Sequence, residues 1–184
     1  SVLSAASSAD LPAYVPPRAE DFTDWTKAAE TVRTTHANGQ VAWGGTDHGF
    51  IFLRLTYLRG FDQCMLDIAA QDPRLMELAA LVESYWLEVV RRWVDLGVDS
   101  IGFGDDLGLQ HALPISPAAW RQYIGPSYRR IFGYCRQHGV HAAQETGLAQ
   151  QEATRQADVD ADAGRQGREI AAVEVDVALF ADPT

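Results

Sequence analysis

One long segment of the chain repeats apolar residues at three- and four-residue spacing, and this pattern predicts a helix. The stripe runs from Leu75 to Val94. Asp72 and Pro73 precede it as an N-cap and a first-turn proline, and Gly97 follows in the position of a C′ glycine. These signals predict a long amphipathic helix that packs one face against a sheet or against other helices.

Weaker apolar patterns on both sides of this helix predict an alternation of helices and short strands. One helix is expected to begin near Asp21–Thr23 and to end before Gly39, a second covers Phe61–Ala70, and two more follow the pairs Ser116-Pro117 and Gly125-Pro126. Strands are expected over Gln40–Trp43, Val98–Phe103 and Val140–Ala142. The run Phe50–Leu58 fits a buried strand or a buried helix equally well. Twice, a long helix ends at glycine and leads into a short apolar strand, which indicates an α/β fold with parallel strands and right-handed crossovers.

Both ends of the chain differ in character from this middle part. Residues 1–20 are rich in Ser, Ala and Pro and predict an extended, poorly ordered arm. Residues 21–142 carry the apolar periodicity and form the predicted folded unit. Residues 143–184 form a low-complexity acidic tail with few large apolar side chains. Within this tail, Ile170–Phe180 alternates valines with acids and fits either an edge strand or a loose segment.

Charge and composition narrow the classes of partner. The chain has 184 residues, 47% of them apolar, and a formal net charge of −10, which argues against nucleic acid or an anionic membrane as the main partner. No apolar run reaches the ~20 residues that a membrane span needs, and Ser1–Ala9 lacks a secretory signal pattern. We therefore expect a cytoplasmic protein with a small-molecule substrate, in which Cys64 and Cys135 are reduced, buried thiols.

The segment Gly104-Asp105-Asp106-Leu107-Gly108 is the strongest candidate for chemistry, because two carboxylates follow a short apolar strand. Functional groups of α/β proteins project from the C-terminal ends of parallel strands. Asp105 and Asp106 are candidates for recognition of N–H groups, for holding a cationic intermediate or for acid–base catalysis. The alternative is that one of them caps the following turn. On the same loop, Gln110 could donate to a substrate carboxylate, and His111 could titrate near neutral pH.

A series of short motifs in this order resembles the uroporphyrinogen decarboxylase superfamily. The motifs are Leu58-Arg59-Gly60-Phe61, Asp67-Ile68-Ala69, Asp72-Pro73-Arg74-Leu75, Gly97-Val98-Asp99, Gly104-Asp105-Asp106-Leu107-Gly108, Gln110, Ile115-Ser116-Pro117 and Trp120-Arg121. The likeness runs from about Phe22 to His141, and it implies a partial TIM-type (β/α)₈ barrel. It also implies decarboxylation of tetrapyrrole acetate side chains without a cofactor. In that reading Asp105 or Asp106 orients pyrrole N–H groups, and Tyr57, otherwise a core aromatic, lines the pocket.

The chain departs from the family in ways that leave other functions open. A whole barrel of this type needs ~250 residues, and the family's N-terminal substrate motifs have no counterpart before Phe22. After His141 the expected family turn is missing, so the tail is either genuine sequence or a shifted reading frame. We therefore expect a partial family member that is inactive by itself. The alternatives are a corrinoid- or thiol-dependent methyltransferase and a non-catalytic half-barrel completed by a partner, for example as a homodimer.

Other sites are weaker candidates. Zinc needs three or four converging nitrogen or sulfur ligands, and no cysteine follows Cys135, so no metal site is expected. Acids directly after Gly102-Phe103-Gly104 argue against phosphate binding there. Ser116 is better explained as an N-cap than as a nucleophile. His48 is a minor candidate for lining a pocket.

Overall fold

The computed structural model of the chain describes residues 3, 11, 13–107 and 114–145. These residues form six α-helices and three strands in an alternating order. The elements are α1 (Trp25–Ala37), β1 (Trp43–His48), α2 (Phe52–Arg59), α3 (Phe61–Ala69), α4 (Pro73–Asp95), β2 (Ser100–Gly104), α5 (Pro117–Tyr123), α6 (Gly125–Gln137) and β3 (His141–Glu145). The predicted tail falls outside the described residues from position 146 onward.

The three strands form one parallel sheet in the order β1-β2-β3, as the helix–Gly–strand sequence pattern predicts. β2 and β3 pair in unbroken register from Ser100 opposite His141 to Gly104 opposite Glu145. Between β1 and β2 the register shifts after Gly45. Two residues of β1 there face one residue of β2, which is the arrangement of a β-bulge. The result is a mixed α/β fold with a parallel sheet.

Local capping signals place the helices close to their predicted positions. The Asp72 side chain accepts a hydrogen bond from the Arg74 backbone at 3.0 Å, at the start of α4. The Ser116 hydroxyl accepts from the Ala119 backbone N–H at 3.1 Å, which confirms its predicted role as an N-cap. Gly97, after α4, adopts a φ of 79°, the left-handed conformation that favours glycine after a helix.

Two segments near residue 50 differ from the simplest reading of the sequence. β1 begins at Trp43, where the predicted strand ends, and continues through two glycines to His48. The ambiguous run Phe50–Leu58 folds mainly as helix α2, which has no capping side chain of its own at the preceding residue, Ile51. Its capping group lies instead in a distant part of the sequence, as described below.

The core lies between the sheet and the helices and is rich in aromatic side chains. Phe50, Phe103 and Trp86 are fully or almost fully buried. The Phe50 ring lies 4.8 Å from that of Phe103 and 5.0 Å from that of Tyr128, centroid to centroid. The Trp86 indole N–H donates to the Phe50 carbonyl at 2.6 Å. Such buried rings supply a large part of the apolar area that stabilises a domain of this size.

The described part of the N-terminal arm packs against the folded unit. Leu11 is fully buried, and the Leu3 backbone N–H donates to the Leu58 carbonyl at 2.8 Å. The Arg59 guanidinium, itself buried, donates to the Leu3 carbonyl at 2.7 Å and to the Asp67 carboxylate at 2.6 Å. A buried ion pair of this kind needs such additional hydrogen bonds to offset its desolvation.

A membrane-crossing helix would have to be both long and apolar. Within residues 3, 11, 13–107 and 114–145, no helix combines the two properties sufficiently to cross a membrane.

Candidate functional site

The carboxyl edge of the parallel sheet brings together the segments that follow all three strands. β1 ends at His48, β2 leads into Asp105 and Asp106, and Gln144 lies near the end of β3. The Gly104 carbonyl accepts hydrogen bonds from the backbone N–H groups of Gly49, at 3.0 Å, and of Phe50, at 2.9 Å. These bonds fix the entrance to α2 against the end of β2. In parallel α/β sheets this edge is the usual position of functional groups.

Asp105 is buried, with 1% of its surface exposed, and its carboxylate is fully engaged with the protein. One oxygen accepts from the backbone N–H groups of Ile51 and Phe52, at 3.0 and 2.7 Å, and the other from Leu53 at 2.8 Å. The Tyr128 hydroxyl donates to the first oxygen at 2.8 Å. Asp105 therefore caps the N-terminus of α2 across 52 to 54 positions of sequence.

This environment separates Asp105 from solvent and from a bound molecule. Burial raises the pKa of the Asp105 carboxyl above its ordinary value, while its four hydrogen bonds act in the opposite direction. Burial and the neighbouring Asp105 also raise the pKa of Tyr128 well above that of a free tyrosine. The sequence left open that one of the two acids caps backbone amides instead of binding a ligand, and Asp105 does so. The amides that it caps belong to α2, however, and not to the turn that follows Asp105.

Asp106 occupies the opposite environment, although it is the next residue. It is exposed, and within the described ranges its carboxylate forms no hydrogen bond or ion pair. The neighbouring Leu107 is 9% exposed and its backbone N–H donates to the Asp105 carbonyl, so the chain turns immediately after the pair. Of the two candidate acids, Asp106 is the one that can reach a ligand.

Tyr57 and His48 lie at the same edge. Tyr57 is 46% exposed. The alternative to a role in a pocket was that Tyr57 is a core aromatic, and an exposure of this size does not fit a buried core residue. Its ring centroid lies 6.3 Å from that of His48. Gly49, at φ 95°, leaves room for the Tyr57 ring, because a Cβ there would lie 2.9 Å from the ring edge. The imidazole and the phenol therefore form an exposed aromatic pair beside the end of β1.

Two of the predicted site residues, Gln110 and His111, lie outside the described residues. The structure thus brings Asp105, Asp106 and Tyr57 to one edge of the sheet and gives the two acids different surroundings. Over residues 13–107 and 114–145, no group of three or more His, Cys, Asp or Glu side chains is arranged to hold a metal ion. Both cysteines are free and buried.

Arg54 is a site residue that the sequence pattern did not single out. Its Nε donates to the Gly49 carbonyl at 3.2 Å, and Nη2 lies 3.7 Å from the Asp47 carboxylate. Arg54 also lines a cavity of about 610 Å³ that opens between β1, α2, α4 and the N-terminal arm. In the sequence, Arg54 is an arginine inside the mostly apolar run Phe50–Leu58. Its position becomes informative only when this run is known to form a helix.

No family model matches the sequence, and a search of the curated proteins finds no significant match either. The resemblance to the uroporphyrinogen decarboxylase superfamily therefore stays a prediction based on the motifs given above.

Proposed function

We propose that this chain is part of an enzyme similar to uroporphyrinogen decarboxylase, and that the acetate side chain of a tetrapyrrole reacts at the carboxyl edge of its sheet. The sheet supports this proposal because its strands follow the chain order. α2, α3 and α4 lie between β1 and β2 in sequence, and α5 and α6 lie between β2 and β3. Successive strand–helix units of this kind are the building blocks of a (β/α)₈ barrel.

The single observation that carries the proposal is the contrast between two adjacent acids. Asp105 satisfies the N-terminus of α2, whereas the Asp106 carboxylate is exposed and has no protein partner among the described residues. A charged acid held at the functional edge by a rigid buried neighbour suits recognition of pyrrole N–H groups. We assign Asp106 the substrate contact, Asp105 the positioning of α2, and Tyr57 a place in the pocket wall.

The chemistry needs no cofactor. A proton first adds to the pyrrole ring, so that the ring can accept electrons. The C–C bond to the acetate carboxylate then breaks, carbon dioxide leaves, and the electron pair moves to the side-chain carbon and the ring. A proton then adds to that carbon, which becomes a methyl group, and the ring loses the proton that it gained first, so that one proton is consumed in total. The Asp106 carboxylate would stabilise the positive charge of the protonated ring by a charge-assisted hydrogen bond.

Binding of uroporphyrinogen to the full chain tests this proposal, because we expect the chain alone to bind without turnover. Quenching of tryptophan emission under anaerobic conditions reports binding. We expect saturable binding below about 100 µM, within the range of enzyme substrates, and weakening by about tenfold in Asp106→Asn, as expected for loss of a hydrogen bond to a charged group. The matched control is Asp62→Asn, an exposed acid in α3, which should bind like the parent chain.

Absence of saturable binding, or equal binding by the Asp106 and Asp62 variants, would overturn the proposal. A second titration with methylcobalamin and a thiol tests the methyltransferase alternative, whose expected result is loss of the methyl–cobalt absorbance. Size-exclusion chromatography tests the half-barrel alternative, since completion by a second copy would give a dimer. A monomer that binds uroporphyrinogen supports the proposed function over both.

A further inference from the structure

The cavity beside Arg54 has the properties of a small-molecule site. Its volume of about 610 Å³ lies within the range of ligand pockets. Most of its lining is polar, including Tyr14, Tyr85 and Asp47, and the side chains of Phe22 and Val82 add apolar surface. Polar groups at defined positions beside apolar surface can fix a ligand in one orientation.

Arg54 is the cation of this cavity, and its position is fixed by the protein. The guanidinium lies 5.4 Å from the centroid of the Trp86 ring, and its Nε and Nη2 are directed toward the carbonyls of Gly49 and His48. Nη1 has no partner among the described residues. Because a guanidinium has five N–H donors, this arrangement holds one edge of the group and leaves the other edge for a ligand.

Two tyrosine hydroxyls supplement this donor. Tyr14 belongs to the arm and Tyr85 to α4, and both pKa values are raised, chiefly by burial, while the charge of Arg54 acts to lower them. Both hydroxyls therefore stay protonated at neutral pH. In the described ranges neither hydroxyl takes part in a hydrogen bond, so each has a hydrogen atom to donate to an acceptor in the cavity.

The acids at the rim restrict the charge of the anion that can bind. Asp47 is 68% exposed at its side chain and 3.7 Å from Arg54, so it forms a weak, solvent-screened pair that a ligand can displace. Asp21 also lines the cavity. Two rim carboxylates beside one guanidinium disfavour a highly charged group such as a phosphate and suit a single carboxylate.

From these contacts we infer that the Arg54 cavity is a carboxylate-binding site. The ligand carboxylate accepts from Arg54 Nη1 and from the hydroxyls of Tyr14 and Tyr85, and its hydrocarbon part packs against Phe22 and Val82. The carboxylate belongs either to a small free monocarboxylate or to an arm of a larger substrate at the carboxyl edge. The inference does not require that the chain binds a tetrapyrrole.

Titration of the full chain with butyrate, which carries a single carboxylate, tests the site by NMR, because the Nε–H resonance of Arg54 reports its guanidinium directly. We expect saturable shifts of this resonance at about millimolar butyrate, as for a small ligand with few contacts. Arg54→Gln should weaken binding at least about tenfold, and Tyr85→Phe, which keeps the ring, by about threefold, as for loss of one hydrogen bond. Arg33→Gln, an exposed arginine of α1, is the matched control and should bind normally.

Three results would overturn the inference: no saturable shift, equal binding of the uncharged butyramide, or unchanged binding in Arg54→Gln. If Arg54→Gln does not fold, as judged by circular dichroism, Tyr85→Phe and Arg54→Lys provide the comparison. The same variants titrated with uroporphyrinogen distinguish the two sources. Weaker binding of both ligands assigns the site to an arm of the tetrapyrrole, and weaker binding of butyrate alone assigns it to a free monocarboxylate. Butyrate binding without uroporphyrinogen binding would support this inference and reject the proposed function.

Discussion

The Tyr128 hydroxyl donates a hydrogen bond to the Asp105 carboxylate at 2.8 Å, and both residues are buried. The same carboxylate caps α2 through three backbone amides. One side chain at the end of β2 thus joins α6 to the N-terminus of α2. The half-buried Arg54 and the exposed Tyr57 of α2 depend on this junction for their positions at the carboxyl edge.

Asp105→Asn should destabilise the fold by about 2–4 kcal/mol, because the amide places a donor where backbone N–H groups need an acceptor. Urea unfolding followed by circular dichroism measures the loss. Asp106→Asn is the control at the next position, and its free energy of unfolding should stay within about 0.5 kcal/mol of the parent value. Equal stability of the two variants would contradict the buried cap.

Tyr128→Phe should cost about 1–2 kcal/mol, since it removes one of four donors to a buried carboxylate and keeps the ring. The double variant Tyr128→Phe/Asp105→Asn should lose less free energy of unfolding than the sum of the two single variants. The difference should be about 0.5–3 kcal/mol, because the two residues share one interaction. Strict additivity in a double-mutant cycle would show that the hydroxyl and the carboxylate do not interact.

Glu83 on α4 makes stability depend on pH. Burial acts to raise the pKa of this carboxyl, but hydrogen bonds from Arg130 and Ser127 of α6 outweigh burial and hold the pKa below the ordinary value of 4.5. A lowered folded-state pKa contributes stability above about 4.5, and this contribution is lost as pH falls through the folded-state value. Glu83→Gln should lower the free energy of unfolding at pH 7, and this free energy should then fall less steeply below pH 4.5 than in the parent chain. Urea unfolding at a series of pH values measures both effects. The same pH dependence in the variant and the parent would argue against this ion pair.

The two thiols should be unreactive in the folded chain. Burial raises the pKa of Cys64 to about 12 and that of Cys135 to about 11, and thiolate is the reactive form. Ellman's reagent at pH 8 should label neither thiol until urea unfolds the chain, and then label both. Rapid labelling without denaturant would mean that these helices are not packed as described.

Gly44 and Gly133 should respond in opposite ways to alanine. A Cβ at Gly44 would lie 2.6 Å from the Trp93 ring, so Gly44→Ala should destabilise by about 1–3 kcal/mol through overpacking. A Cβ at Gly133, in α6, meets nothing within 4 Å, so Gly133→Ala should stabilise by about 0.5–1 kcal/mol. Thermal unfolding measures both, and a stabilising Gly44→Ala would contradict the close approach of α4 to β1.

The sequence predicted those parts of the fold whose causes are local. The apolar stripe and the Asp72-Pro73 start determine α4, and Ser116-Pro117 determines the start of α5. Helix α2 could not be distinguished from a strand, because its cap is Asp105, more than fifty positions away. A capping residue that is distant in sequence leaves no recognisable pattern in the sequence of the helix that it caps.

The same limit applied to the candidate site. The motif Gly104-Asp105-Asp106 identified the edge, yet nothing in it distinguishes the buried acid from the exposed one, because the distinction comes from the amides of α2. Arg54 was overlooked for a related reason. Its guanidinium becomes a candidate binding group only when β1, α4 and the arm enclose a cavity around it.

The register shift in β1 sets the composition of the Arg54 cavity. Thr46 and Asp47 lie opposite Phe103 alone, so the alternation of side chains changes parity between Gly45 and His48. Thr46 and Asp47 both line the cavity, which two adjacent residues of a regular strand would not do, because their side chains would point to opposite faces. Deleting one of them would restore a regular strand and leave a single residue opposite Phe103. The extra residue in β1 therefore supplies the cavity with one more polar side chain, and a deletion of one codon could remove the charge of Asp47 without altering any residue that lines the cavity from the helices.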